Sequence, residues 1–395
     1  MSHWQELENR YFMHTVERIP LTLVKGRGAW IWDEDGQKYL DFVAGWAVDS
    51  LGHCHPAVVR AVMEQVQTLI HTSNQFYTIP QVQLAEILVQ HSCLDKVFFS
   101  NSGAEANEGA VKLARRYGRY YRDGAYEVIT TSSSFHGRTL AMVAATGQDK
   151  HQQPYRPLPV GFVNVGYNDI EAIKVATTKE TCAVMLELVQ GEGGINLPDE
   201  GYLTAVRAWC DKQGILLILD EVQTGVARLG TLFAYEQFGI EPDIMTLAKG
   251  LASGIPIGAT LAKDGASVFS PGEHGSTFGG NPVACAAGYA TLKFIIENDI
   301  AGNVREVGDY LATGLKKLKR EFSFITDVRG CGLLMAMEFN NDIAQSVVMA
   351  CLHKGLLLNR LKPNALRFMP PLIISKGEVD EALGILEQTL SDPAA

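Results

Sequence analysis

Along this chain, short apolar runs that stop at small or polar residues alternate with longer stretches whose apolar positions recur every three or four residues. That alternation is the pattern of parallel strands crossed by helices. Residues 96–99, 127–131, 183–187, 215–219 and 244–247 read as strands, and 104–121 and 202–212 read as helices. Beyond this α/β stretch, a charged helix over 304–320 leads into Gly330-Cys331-Gly332, an apolar run at 333–339, a further helix, a proline-containing apolar run and a last helix from Lys376. The beginning of the chain predicts a hairpin of 21–24 with 29–32, a turn at Asp33-Glu34-Asp35-Gly36 and a return strand at Tyr39-Leu40. So short a piece cannot bury a core of its own, which predicts that it packs with the tail. The expected division is a segment 1–48 joined to a small domain over 291–395, with a large domain over 49–290 between them.

Composition agrees with a folded chain of this size. The 395 residues are 47% hydrophobic and 20% charged, enough to build a sizeable core and unlike a disordered or fibrous sequence. The net charge of −10 comes with no basic run, which argues against nucleic acid as the main partner. Seven cysteines, an odd number with no C-x-x-C pair, predict reduced thiols in a cytoplasmic setting and no zinc knuckle. The first twelve residues show no basic segment followed by an apolar one, and no apolar run approaches bilayer length. Neither a secretory signal nor a membrane partner is therefore expected.

Three segments carry candidate chemistry. In Phe98-Phe99-Ser100-Asn101-Ser102-Gly103-Ala104-Glu105-Ala106-Asn107-Glu108 a strand passes through small residues into a helix, with Ser102 and Glu105 at capping-box spacing. Free N–H groups at such a start suit a phosphate, and an ordinary capped helix has the same signature. There is no Gly-Lys dipeptide for a P-loop, and Gly330 with Gly332 falls short of a dinucleotide fingerprint. In Ile218-Leu219-Asp220-Glu221-Val222-Gln223-Thr224-Gly225 an apolar strand delivers two carboxylates at its carboxyl end, where open α/β sheets bind ligands. A magnesium site there would lack its phosphate-binding loop. In Thr246-Leu247-Ala248-Lys249-Gly250-Leu251 a lone lysine follows the next strand, either as a turn residue on the surface or as a Schiff-base nucleophile. A phosphate cradle, an acid and a lysine at neighbouring strand ends are together what pyridoxal 5′-phosphate needs at its phosphate, ring nitrogen and aldehyde.

With Ser134-Phe135-His136-Gly137-Arg138-Thr139, Val189-Gln190-Gly191-Glu192-Gly193-Gly194 and Gly275-Ser276-Thr277-Phe278-Gly279-Gly280-Asn281-Pro282, these segments resemble the class III, ornithine-type aminotransferases over nearly the whole chain. Gly52-His53-Cys54-His55-Pro56 and Ser73-Asn74-Gln75-Phe76-Tyr77 resemble the branch of that family acting on acetylornithine. The resemblance implies a fold-type-I pyridoxal-phosphate enzyme, with a mostly parallel sheet in the large domain and a smaller α+β domain. It implies transfer of the terminal amine of an N-acylated diamino acid, N²-acetylornithine, to 2-oxoglutarate, in the setting of arginine or lysine biosynthesis. Donors such as 4-aminobutyrate, ornithine or a carrier-linked lysine precursor, an aminomutase, and a non-catalytic family member stay open.

Carried over by motif, Lys249 would bond the cofactor and shuttle the proton, and Asp220 would pair with the ring nitrogen. Phe135 and Val222 would flank the ring, with His136 beside it and Gln223 near its phenolic oxygen. Ser102, Gly103 and Ala104 would hold the phosphate, joined by Thr277 from the other subunit of a homodimer. Arg138 would hold a distal carboxylate, Arg367 the α-carboxylate of glutamate, and Glu192 would pair with Arg367 when the donor is an ω-amine. Leu188 and Ala227-Arg228-Leu229 depart from the family pattern as expected loop variations. Trp46 replaces the usual Ile or Tyr and is expected to line the donor pocket. His53, Cys54 and His55 are expected to close a helix start at Pro56 and to hold no metal.

Overall fold

The computed structural model describes residues 2–392. Seven strands form the large sheet in the order Lys96–Ser100, Gly258–Ala262, Ile244–Leu247, Leu216–Asp220, Thr181–Leu186, Glu127–Thr131 and Phe162–Val165. All are parallel except Gly258–Ala262, which runs antiparallel to both of its neighbours. Strands such as Thr181–Leu186 and Leu216–Asp220 are buried at every residue, which accounts for their continuous apolar runs.

The expected strands at 127–131 and 244–247 coincide with those observed, and the others shift by one or two residues. Two strands of this sheet escaped the pattern. Gly258–Ala262 is mostly small residues around Leu261, and Phe162–Val165 is a short edge strand with an exposed Asn164. Two four-stranded sheets complete the molecule. One joins Leu23–Arg27, Trp30–Asp33 and Lys38–Asp41 to Leu356–Leu357 from the tail, and the other is the antiparallel set Ile325–Cys331, Leu334–Phe339, Ala365–Phe368 and Asn359–Lys362. The beginning of the chain is thus stitched to its end, with the Trp30 indole N–H donating to Glu378 at 3.0 Å. No described helix is long and apolar enough to cross a membrane.

The helix Gly103–Tyr121 starts on Ser102, whose hydroxyl accepts from the Glu105 N–H at 3.2 Å. Glu105 does not return to Ser102 as in a full capping box; its carboxylate accepts from the Asn101 N–H. The departures at 188 and 227–229 do fall in loops, but in buried ones. Leu188 is fully buried, and the Arg228 guanidinium lies in the core, donating to the carbonyls of Leu333 and Pro370. This buried turn ties the segment after Asp220 to the ends of the two central strands of the C-terminal sheet.

Glu221 turns away from the carboxyl-end cavity and accepts from the N–H groups of Ala234 (2.6 Å) and Tyr235 (2.7 Å). Burial pushes its carboxyl up to about 8. Between its ordinary value of 4.5 and this raised value the folded state holds a proton that the unfolded state releases. The resulting stabilisation is full below the lower value and is lost as pH rises through the upper one. The melting temperature should therefore fall from about pH 5 to about pH 8. Glu221→Gln should flatten that fall while lowering the curve, because an amide keeps only one acceptor; an unchanged slope would rule Glu221 out as its cause.

Candidate active site

The strand ends converge on a cavity of about 440 Å³. Of the residues singled out from sequence, Ser102, Gly103, Ala104, Phe135, His136, Arg138, Glu192, Asp220, Val222, Gln223 and Lys249 all line it. Arg367 lies behind Glu192, Trp46 lies over Arg367, and Thr277 is exposed outside the cavity of its own chain.

Asp220 ends a fully buried strand. One carboxylate oxygen accepts from Asn107 Nδ2 (2.7 Å) and His136 Nδ1 (2.8 Å), and the other from the Val222 N–H (3.0 Å). Asn107 is itself fixed, donating to the His136 carbonyl and accepting from the Thr246 hydroxyl at 2.6 Å. A negative charge is thereby held in a set direction at the cavity wall.

Lys249 follows the strand Ile244–Leu247 in a left-handed conformation, φ 40°. Its ammonium makes no hydrogen bond or ion pair with any described residue, and burial pushes its pKa down, partly opposed by Glu192 and Asp220. The amine is thus biased toward the neutral, nucleophilic form.

At the start of the helix Gly103–Tyr121, the N–H groups of Gly103 and Ala104 precede any intrahelical acceptor. Gly103 has to be glycine, since a Cβ there would lie 2.7 Å from Val222 Cγ1. Gly191 is equally constrained, because its Cβ would fall on Gln223 Oε1. Gln223 Nε2 is buried without a partner, as are His136 Nε2 and Arg367 Nη2. Buried polar atoms normally find partners, so the unmatched Gln223 amide and His136 ring nitrogen at the cavity, with the unmatched Arg367 nitrogen behind Glu192, point to a polar guest.

Arg367 is completely buried. It donates to Glu192 Oε1 (2.8 Å), the Gly191 carbonyl (3.2 Å) and Asn359 Oδ1 (3.0 Å). Burial raises the Glu192 pKa and the Arg367 charge more than reverses this, leaving the carboxyl below its ordinary value. Arg138 is exposed at the rim, its guanidinium 5.5 Å from the Phe135 ring centroid.

Two site residues were missed from sequence. Asn107 lies one turn beyond Gly103 in the motif already quoted. Glu187 follows the apolar strand Thr181–Leu186 as Asp220 ends its own, so the same rule would have found it. Glu187 lines the cavity and accepts from the N–H groups of Phe135 and Gly191, and burial pushes it up to about 7. His55 caps the helix Pro56–Thr68, as expected of that turn. Among the described residues no group of three or more His, Cys, Asp or Glu side chains is placed to hold a metal ion.

A buried acid, a depressed lysine and a helix start, each at the carboxyl end of a strand in one parallel-rich sheet, define a pyridoxal-phosphate-dependent enzyme of fold type I. The family model for class-III aminotransferases matches residues 11–390, and the chain belongs to that family; it is a transaminase. Among its relatives, the acetylornithine aminotransferase of Caldanaerobacter subterraneus subsp. tengcongensis is 50% identical over 98% of both chains. That of Methanocaldococcus jannaschii is 48% identical over 99% of this chain and 98% of its own. Among solved structures, N-acetylornithine aminotransferase from Stenotrophomonas maltophilia superposes with a TM-score of 0.85 at 36% identity, covering 98% of each chain. The ornithine aminotransferase of Toxoplasma gondii superposes at 0.94 with 32% identity, over 98% of this chain and 94% of that one.

Proposed function

We propose that this enzyme moves the terminal amino group of an N-acylated diamino acid, N²-acetylornithine, to 2-oxoglutarate, as a step of arginine biosynthesis in the cytoplasm. The ion pair between Glu192 and the buried Arg367 carries the reading, and the names of the relatives at 48–50% identity agree with it. Pyridoxal phosphate, when bound, supplies an electron sink next to the amine-bearing carbon. Gly103 and Ala104 offer N–H groups to its phosphate. Asp220, held by Asn107 and His136, would pair with the ring nitrogen, Gln223 Nε2 would serve its phenolic oxygen, and Phe135 and Val222 would confine the ring. Lys249 Nζ takes the proton from the donor's amine-bearing carbon and returns it.

Two unlike donors must use one site. Glutamate presents its α-amine, so its α-carboxylate lies beside the reacting carbon and needs Arg367, while Arg138 at the rim takes the distal carboxylate. An ω-amine presents a methylene there and would leave Arg367 bare in a buried place, a costly state for a charge. Glu192 neutralises it for the ω-amine and moves aside for glutamate. Thr277, exposed and away from its own cavity, reaches the phosphate of the second subunit in a homodimer. The chain divides into residues 49–290, which hold the cofactor, and a small domain of 291–395 with 1–48 packed on it.

Single-turnover measurements of the two half-reactions test this reading. Glu192→Ala should slow the ω-amine half by about tenfold or more, since breaking a buried pair leaves an uncompensated charge, and should spare the glutamate half. Arg367→Ala should mainly damage the glutamate half. Equal losses in both halves for Glu192→Ala would make it a structural cap of the loop 191–194. An amine-donor panel with 2-oxoglutarate as acceptor tests the donor itself: N²-acetylornithine should rank first.

A further inference from the structure

The segment Ala44–Ala47 holds four successive residues in the left-handed region: Ala44 (φ 47°), Gly45 (φ 60°), Trp46 (φ 68°) and Ala47 (φ 63°). Three of them carry a Cβ, which crowds the following carbonyl in that region and makes it unfavourable. Strain of this kind persists only where the surroundings over-determine it.

Here the surroundings are a clamp. Asp41 Oδ1 accepts from the N–H groups of Val43 (2.8 Å) and Ala44 (2.9 Å), where the turn begins. Asp41 Oδ2 binds His53 Nε2 at 2.8 Å, and His53 Nδ1 lies 3.8 Å from Asp49 Oδ2, just past the turn's end. Burial opposes a charged imidazole, yet the two carboxylates hold the His53 pKa above its ordinary value. The far side of the turn is close against the lysine turn: a Cβ on Gly250 would lie 2.2 Å from Ser50 Oγ, and the Leu51 N–H donates to Ser253 Oγ at 3.0 Å.

The strained turn presents a tryptophan that is 48% exposed, where a large apolar side chain contributes little to the core. What the indole touches is Arg367, whose Cζ lies 5.1 Å from the ring centroid. Expected from sequence to line the donor pocket, Trp46 does not line the cavity; the left-handed turn carries it over the guanidinium.

We propose that Asp41 and His53 are positioning residues that hold the left-handed turn so that the Trp46 indole covers Arg367, setting the affinity of the site for the oxo acid and glutamate. The hydrogen-bond partners of Arg367 are Glu192, Gly191, Asn359 and, at 3.5 Å, Gln223 Oε1. When Glu192 leaves, the indole stays, keeping water from the guanidinium and supplying a cation–π contact, so that the incoming α-carboxylate meets a less solvated cation. The inference rests on the role proposed above for Arg367 in the glutamate half-reaction.

The test compares Trp46→Ala, Trp46→Phe, His53→Gln and the Trp46→Ala/His53→Gln double variant of the holoenzyme. Trp46→Ala and His53→Gln should each raise the KM for 2-oxoglutarate by about three- to tenfold, the range of a half-exposed to a desolvated cation–π contact. Both should leave kcat and the ω-amine half-reaction within about twofold. Trp46→Phe should keep most of the affinity, and the double variant should be no worse than Trp46→Ala alone, because His53 acts through the indole. Additive losses, an unchanged KM in Trp46→Ala, or equal losses in both half-reactions would overturn the proposal. Should His53→Gln fail to fold, Asp41→Asn takes its place in the same cycle. The near-ultraviolet circular dichroism difference between wild type and Trp46→Phe reads how firmly the indole is held, whatever Arg367 binds. If that difference collapses in His53→Gln while Arg367→Ala leaves the glutamate half intact, the clamp stands and the role given to Arg367 fails.

Discussion

Lys249→Ala should fold, bind cofactor and lose turnover. The side chain makes no hydrogen bond or ion pair with the described residues, so removing it leaves no partner unmatched, and alanine suits the left-handed φ no worse than lysine does. The loss is chemical. Burial holds the amine toward its neutral form, and no other free amine or imidazole lines the cavity except His136, whose Nδ1 is committed to Asp220. Removing a positioned proton carrier costs about 10²–10⁴-fold, and loss of the nucleophile adds to it. The visible absorption of the purified enzyme, which comes from the lysine–cofactor bond, should shift in the variant. A variant that turns over at a comparable rate, with wild-type absorption, would place the lysine role elsewhere.

Asp220→Ala should lose about 10²–10³-fold in turnover, the scale of removing one preorganised charge from a reacting centre. Unlike the lysine variant it should also lose stability. Asn107 Nδ2 and His136 Nδ1 both point at the missing oxygen, and a buried donor left without an acceptor costs about 1–3 kcal/mol. Asp220→Asn separates the two effects, because its amide oxygen still accepts while the charge is gone. Its amide nitrogen leaves only the Val222 N–H without an acceptor, so it should melt between the alanine variant and the wild type and remain slow. An Asp220→Asn enzyme of normal rate would show that the carboxylate charge is not what the chemistry uses.

Much of the site was legible because strand ends announce themselves. A continuous apolar run that stops at an acid or a lysine marks both a strand and the residue exposed at its carboxyl end, and Asp220 and Lys249 are of this kind. Glu187, which follows the apolar strand Thr181–Leu186, is of the same kind. The small-residue turn before Gly103–Tyr121 was legible for a similar reason: only glycine and small side chains leave helix N–H groups open. By contrast, the alternation of strand and helix carries no mark for Gly258–Ala262, whose alanines and glycine have little strand preference. That strand is made by the neighbours it bridges.

By itself, then, the sequence determined the α/β class, the strand ends and the identity of the groups that gather there, since those follow from local periodicity and from the cost of placing charge after an apolar strand. Tertiary structure decided what those groups meet. Glu192 and Arg367 are 175 residues apart and belong to a loop of one sheet and a strand of another; their contact depends on how two separately formed units pack. Asp220 and Glu221 are adjacent and chemically alike, yet one faces the cavity and the other caps a helix, because successive residues leave a strand on opposite sides. Apart from Gly45, nothing in Ala44-Gly45-Trp46-Ala47 favours the left-handed region. Asp41 and His53, brought together by packing, with the lysine turn close on the far side, outweigh the local preference and turn Trp46 onto the arginine.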